Sequence, residues 1–316
     1  NTDRLNELGN DFNINSRYHD YREFLDDCRC DLVTICTMPV FHSEMTIAAL
    51  ENGAHVLCEK PLAMNAQEGK EMVLAAKKAG KILAVGYNMR FTPNALLISD
   101  FIEKGKLGKP IKTRAWANAS QIPWWGEHYR REISGGGALA ATAVHFLDLA
   151  LHFSGFPKPI SVSASSTSLF PRKRGGTIPK GVSPNLYTSE DLISAHIRFD
   201  NGFWLDLEGS WIDNQPSVDG QPSWDYSLDS IGETGQVRFD PLSIRTEDNG
   251  EIIDVLSKDT LSDVSFPPSV AALILDVIQA VRDGRQPKVT GEEALAVQII
   301  VDAIYESAKT FKEVRM

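Results

Sequence analysis

The sequence has no uninterrupted apolar run of the roughly 18 residues that a bilayer-crossing helix requires, so no membrane span is expected. Basic excess is also missing. Against 42 Asp and Glu there are 32 Lys and Arg, and the net charge is −10. An acidic surface repels a phosphate backbone, which argues against a nucleic-acid partner. Cysteine is scarce, with four in 316 residues: Cys28, Cys30, Cys36 and Cys58. Cys28-x-Cys30 lacks the second pair that a zinc site needs, so no metal site is expected. Cys36 and Cys58 sit in apolar runs, where a reduced thiol acts as a small hydrophobe, and a reducing, cytoplasmic compartment follows as the expectation. Nowhere is there a G-x-G-x-x-G turn. Internal repeats and low-complexity segments are absent as well. The sequence opens on Asn1 without a basic-then-apolar leader, and is read as starting inside a longer chain.

What is present falls into two halves of different pattern. Up to about residue 91, helical patterns alternate with short, continuously apolar strands: Asp31–Thr37, His55–Cys58 and Ile82–Val85. Helices are expected at Arg4–Leu8, Tyr21–Asp26, Ser43–Asn52 and Ala66–Ala79, the last two closed by Gly53 and Gly80. Apolar strands joined by helices signal a doubly wound parallel sheet, an α/β fold covered on both faces. Such sheets bind ligands at the carboxyl ends of their strands. From residue 92 to 316 a helix near Asn94–Lys104 and a strand near Ile111–Asn118 lead to a Gly-rich turn and a helix, Ala138–Phe153. Alternating strands follow at Ile160–Ser168, Leu192–Phe199, Phe203–Trp211, Tyr226–Ile231 and Gln236–Phe239, with a hairpin signal at Asn201-Gly202. The helices Ser269–Asp283 and Glu292–Lys309 close the chain. This half reads as an α+β domain with an open, mostly antiparallel sheet and helices on one face. The stretch Pro171–Asn185, rich in Pro, Gly and basic residues, is expected to be a loop.

Several groups carry chemistry. Glu59-Lys60-Pro61 follows His55–Cys58 at a ligand-facing strand end, and Pro61 disfavours helix at Lys60. A lysine there can donate to a substrate oxygen, and burial would lower its pKa; a turn lysine exposed to water is the plain alternative. His145 lies on the helix after Gly135-Gly136-Gly137, where glycines let the backbone approach a ligand or another element. It shares a face with Ala141, Asp148 and His152, and can act as general acid or base or be hydrogen-bonded inside a domain junction. Asn88 and Arg90 follow the third strand, in a segment that is also the link to the second half. Trp124 to Arg131, including Tyr129 and Arg130, offers groups that stack on sugars or bind oxygens, and could equally fill the junction.

In order along nearly the whole chain, Thr37…His42, Glu59-Lys60-Pro61, Gly86-Tyr87-Asn88-x-Arg90-Phe91, Gly135-Gly-Gly…His145-x-x-Asp148 and Ala303-Ile304-x-x-Ser307-Ala308 resemble the Gfo/Idh/MocA oxidoreductases. The resemblance implies a partial NAD(P)-binding Rossmann domain over 1–91 and a substrate and oligomerisation domain over 92–316. It implies hydride transfer between nicotinamide, in NAD or NADP, and a secondary alcohol of a sugar or cyclitol, in a homodimer or homotetramer. Lys60 and His145 match the family's catalytic pair. Thr37, Pro39, His42, Glu59, Lys60, Asn88 and Arg130 match the cofactor-lining set, and Trp124, Tyr129 and Asp148 are assigned to the substrate. Three departures stand out. The glycine turn and its following acidic residue are missing, Ala141 replaces a frequent Asp, and Pro39 replaces an Asn. An NAD-assisted dehydratase or glycosidase-type reaction, or a non-catalytic sugar or dinucleotide sensor, is the alternative.

Overall fold

The computed structural model describes residues 1–123, 127–169, 183–213, 223–255 and 268–316. The first part runs α1 (Thr2–Asp11), α2 (Tyr21–Asp27), β1 (Leu32–Ile35), α3 (His42–Glu51), β2 (His55–Cys58), α4 (Ala66–Ala79) and β3 (Leu83–Val85). The three strands pair in parallel in that order, with Ile35 opposite Cys58 and Cys58 opposite Val85. Val56, Cys58, Ala84 and Val85 are fully buried, which is why their sequence reads as unbroken apolar runs. Local chemistry sets the helix limits. Asn65 caps α4 by accepting from the Glu68 N–H, and Gly80 ends it in the left-handed region at φ 63°.

The second part runs α5 (Pro93–Glu103), β4 (Pro110–Ala119), α6 (Arg131–Ser134), a wide helical segment Ala138–Ala143 that continues into α7 (Val144–Ser154), β5 (Pro159–Thr167), β6 (Leu192–Phe199), β7 (Trp204–Ser210), β8 (Trp224–Gly232), β9 (Gly235–Arg238), β10 (Ser243–Asp248), β11 (Glu251–Asp254), α8 (Ser269–Asp283), α9 (Gly291–Thr310) and β12 (Val314–Arg315). Nine strands form one sheet in the order β11-β10-β9-β8-β4-β7-β6-β5-β12. Neighbours are antiparallel except β4 and β7, which run parallel. Ile193, Ala195, Ile197 and Phe199 of β6 are buried and alternate with polar residues, the pattern of a sheet covered on one face. Helices α7 and α9 pack there, against β4 and β5.

Three features differ from expectation. The strands do not stop at Phe239: a further hairpin, β10–β11, turns at Asn249-Gly250, both at positive φ. The helix expected from Ala138 begins as a wide π-type segment before settling into α7. Averaged over a window, Arg131–Ser154 is apolar and long enough for a membrane span, although no unbroken run is; 78% of that window is buried inside the fold, as suits a core helix. The expected loop Pro171–Asn185 lies outside the described residues up to position 182, and Pro184–Leu186 forms one short turn.

The chain end returns to the first sheet. Thr290 bridges Ala84 of β3, and α9 packs on α4. Asp302 of α9 accepts from the Ala66 N–H that opens α4 (2.7 Å), while Ser307, further along α9, accepts from the Ala164 N–H of β5 (2.9 Å). One helix thereby touches both sheets, and a single apolar core runs through both.

Candidate active site

The carboxyl ends of β1, β2 and β3 open on one side, as parallel pairing requires. From the end of β2, Lys60 extends to the helical segment before α7, where its ammonium donates to the Ala141 carbonyl at 2.6 Å. Burial pushes the Lys60 pKa down to about 8, and the neighbouring Glu59 carboxylate works against that shift. Glu59 accepts from the Lys60 backbone N–H (3.1 Å) and lies against Gly86 at the end of β3. A Cβ on Gly86 would come within 2.9 Å of the Glu59 Oε2, so the missing side chain makes room for the carboxylate.

His145 lies one helical turn beyond Ala141. Burial first, and then the charge of Lys60, hold its pKa well below the usual 6.5. His128 is governed by the same two causes, and its pKa falls to about 4. Both imidazoles are therefore neutral at pH 7, and both feel the charge of Lys60. The Nδ1 atoms of both rings and the hydroxyl of Tyr87 are buried and carry no protein hydrogen bond. Tyr87 stands edge-on to His145, with ring centroids 6.2 Å apart. Orphaned buried polar atoms are costly unless something satisfies them, and the neighbouring pair Tyr87 and His145, just past the end of β3, suits a polar ligand.

Other expected site residues have different positions. His42 is fully buried, with Nδ1 2.9 Å from the Pro61 carbonyl and Nε2 3.1 Å from the Thr37 carbonyl. Its ring ties the loops after β1 and β2 and has no surface left for a cofactor. Pro39 is buried in the short turn between those loops, and Thr37 is exposed. Asp148, assigned to the substrate, is instead completely buried and held by two hydrogen bonds from Arg90, at 2.6 and 2.8 Å. Arg90 also donates to the Lys288 carbonyl and to Glu293, so this network locks α7 to the turn after β3 and to the start of α9. Completely buried and paired with Arg90, Asp148 has no surface to offer a sugar. The Asn88 amide donates to Ser269 at the start of α8 (2.9 Å). Arg130 pairs with Glu132 (2.9 Å) and Glu127 (3.4 Å). Tyr129 is buried in a small cluster with Trp211 and Tyr187. Trp124 lies outside the described residues.

The three glycines serve packing between elements. The Glu190 carboxylate accepts from the Gly137 and Leu139 N–H groups (2.9 and 3.0 Å) and from the Tyr305 hydroxyl (3.0 Å). A Cβ on Gly137 would fall 1.9 Å from the Glu190 carbonyl oxygen. Since Glu190 takes the N–H groups at this helix start, the turn is no cradle for a phosphate. Sequence reasoning missed Glu190, Tyr87 and His128. The last stood in the aromatic, basic stretch already noted, and its mix of rings and donors was the available signal. Among the described residues no group of three or more His, Cys, Asp or Glu gathers to hold a metal.

A nicotinamide with its neighbouring substrate suits this cluster of Glu59, Lys60, Tyr87 and His145, given the unsatisfied polar atoms around it. The diphosphate has no glycine-rich turn to receive it in these 316 residues.

Comparison with known proteins agrees. The family described as "Oxidoreductase family, NAD-binding Rossmann fold" matches residues 1–87, and its companion "Oxidoreductase family, C-terminal alpha/beta domain" matches residues 100–316. The D-glucoside 3-dehydrogenase of Escherichia coli K12 is 32% identical over 289 residues, 90% of this chain and 79% of that protein. The levoglucosan dehydrogenase of Pseudarthrobacter phenanthrenivorans is 31% identical over 62% of this chain and 53% of its own length, and the myo-inositol 2-dehydrogenase of Thermotoga maritima is 35% identical over 48% and 45%. A solved structure of levoglucosan dehydrogenase with NADH and levoglucosan shares the fold with a TM-score of 0.83 at 24% identity, over 100% of this chain and 88% of that one. Matched along both of its parts, this chain belongs to the Gfo/Idh/MocA oxidoreductase family, built on an NAD-binding Rossmann fold.

Proposed function

We propose that this chain oxidises a secondary alcohol of a sugar or cyclitol, with NAD or NADP as the acceptor, through Lys60 and His145. The observation that carries the reading is the anchoring of the Lys60 ammonium on the Ala141 carbonyl, one turn before His145. That hydrogen bond aims the lysine, and the ammonium keeps further N–H groups for a substrate oxygen. Neutral His145 takes the hydroxyl proton as the carbon–hydrogen bond is broken. Bound nicotinamide supplies the hydride acceptor, while the protein supplies position and electrostatics. Ala141 contributes no carboxylate, and its backbone oxygen orients the lysine instead. Relatives that act on glucosides, levoglucosan and inositols support the substrate class.

The division at residues 91 and 92, cytoplasmic residence and assembly as a homodimer or homotetramer are part of the same proposal. The four free thiols support a reducing compartment.

The test is turnover by the full chain on a panel of glucosides, anhydrosugars and inositols, followed by nicotinamide absorbance. Lys60→Ala should lower kcat/KM by about a thousandfold or more. Near-normal turnover in that variant would defeat the assignment. Product formed without net change in absorbance would favour the elimination-type alternative.

A further inference from the structure

We propose that Glu190 is a positioning residue for the reaction: its buried carboxylate fixes the start of the helical segment Ala138–Ala143 and so keeps the Ala141 carbonyl on the Lys60 ammonium. The inference rests on the reading of Lys60 just given. Three observations carry it.

The first is an unbroken path of hydrogen bonds. Glu190 Oε2 accepts from the Gly137 N–H at 2.9 Å, and Oε1 accepts from the Leu139 N–H at 3.0 Å. The Glu190 carbonyl takes the N–H between them, that of Ala138, at 3.1 Å. One turn on, the Ala141 N–H donates to the Gly137 carbonyl at 2.9 Å, and the Ala141 carbonyl receives Lys60 at 2.6 Å. A shift of the clamp therefore moves the acceptor to which Lys60 is tied.

The second is the charge. Neutral donors hold this carboxylate, namely the two backbone N–H groups and the Tyr305 hydroxyl at 3.0 Å, and Glu190 is 6% exposed. Burying an anion costs stability, which N–H groups at a helix start offset. A glutamine would fill the same space more cheaply, but it accepts on one oxygen and would turn its NH2 group toward a donor. Serving all three donors requires the carboxylate.

The third is the rigid base of the clamp. The Thr188 and Ser189 N–H groups both donate to the Tyr129 carbonyl (2.9 and 3.2 Å), and the Asp191 N–H donates to the Thr167 carbonyl at the end of β5 (3.0 Å). Glu190 is thus fixed to the second sheet just ahead of β6, whereas Lys60 comes from the first. Gly137 lies so close to the Glu190 carbonyl oxygen that a Cβ would fall 1.9 Å from it, which leaves the contact no slack.

The test follows the protonation of Lys60 itself, by acetic anhydride labelling of the full chain over a series of pH values with readout by mass spectrometry. The pH profile of kcat/KM on a glucoside, an anhydrosugar or an inositol is measured beside it. In Glu190→Gln the Ala141 carbonyl should draw away from the ammonium. A hydrogen bond that favours the charged form is then lost, so Lys60 should give up its proton at a pH lower by about half a unit or more. The alkaline limb of kcat/KM should move with it, and kcat should fall about 10- to 100-fold with KM little changed. Tyr305→Phe removes the one donor outside the segment, and should lower the urea midpoint while leaving the Lys60 labelling curve in place. A merely structural role for Glu190 would lower the midpoint in both variants and move the curve in neither. A folded Glu190→Gln protein whose Lys60 curve matches the wild type would overturn the proposal, as would an equal shift in Tyr305→Phe. Absence of wild-type turnover on every sugar would defeat the dehydrogenase reading instead, and the labelling curves would still decide the role of Glu190.

Discussion

Lys60 carries a charge in a place that makes the charge expensive, and that cost tunes its chemistry. Its ordinary pKa of 10.5 is brought down to about 8 by burial, with Glu59 holding it up. His145, depressed well below 6.5, stays a proton acceptor throughout the neutral range. If the ammonium form of Lys60 polarises the substrate oxygen, kcat/KM should be level near pH 7 and fall as pH rises through about 8, where Lys60 loses its proton. Glu59→Gln removes the anion that raises the Lys60 pKa, so the alkaline limb should move to lower pH. Profiles of kcat/KM for both proteins check this, and a limb that stays put or moves upward would contradict the stated cause. At this scale the sequence was partly legible. A lysine before Pro61 at a strand end and a histidine on a helix pointed to Lys60 and His145. His42 and Asp148 were expected to meet cofactor and substrate because the same residue types serve equally as ties, and their partners Pro61 and Arg90 lie 19 and 58 residues away, beyond any local pattern.

Helix α7 shows how an element holds a side chain in place. The wide segment that leads into it is fixed at its start by Glu190, the middle of α7 is fixed by the Arg90 pair with Asp148, and the lysine anchor at Ala141 lies between. Gly137 is the tightest point, since any side chain meets the Glu190 backbone. Gly137→Ala should therefore destabilise by more than about 2 kcal/mol, the scale of forced overpacking. The midpoint of urea unfolding measures this, and an unchanged midpoint would show that the turn can give way. The strand β11 has all four residues exposed and so lacks the apolar alternation by which strands are recognised. Only the Asn249-Gly250 pair announced that hairpin.

Across the whole molecule, α9 and the Thr290–Ala84 bridge make the two sheets one mechanical body. The sequence supplies separate reporters. All six tryptophans follow residue 110, and all four cysteines precede residue 60. In urea, tryptophan fluorescence and the labelling of buried Cys58 should change together, since the shared core and α9 couple the sheets. Two separated midpoints would refute the coupling. By itself the sequence determined the elements and the α/β and α+β classes, because period, caps and glycine stops act over a few residues. It also marked the strand ends where chemistry should lie. Tertiary structure alone decided which groups meet there. Lys60 finds its acceptor 81 residues away and Arg90 finds Glu293 across 203. Hydrogen bonding and burial depend on distances in space, and local pattern does not encode those.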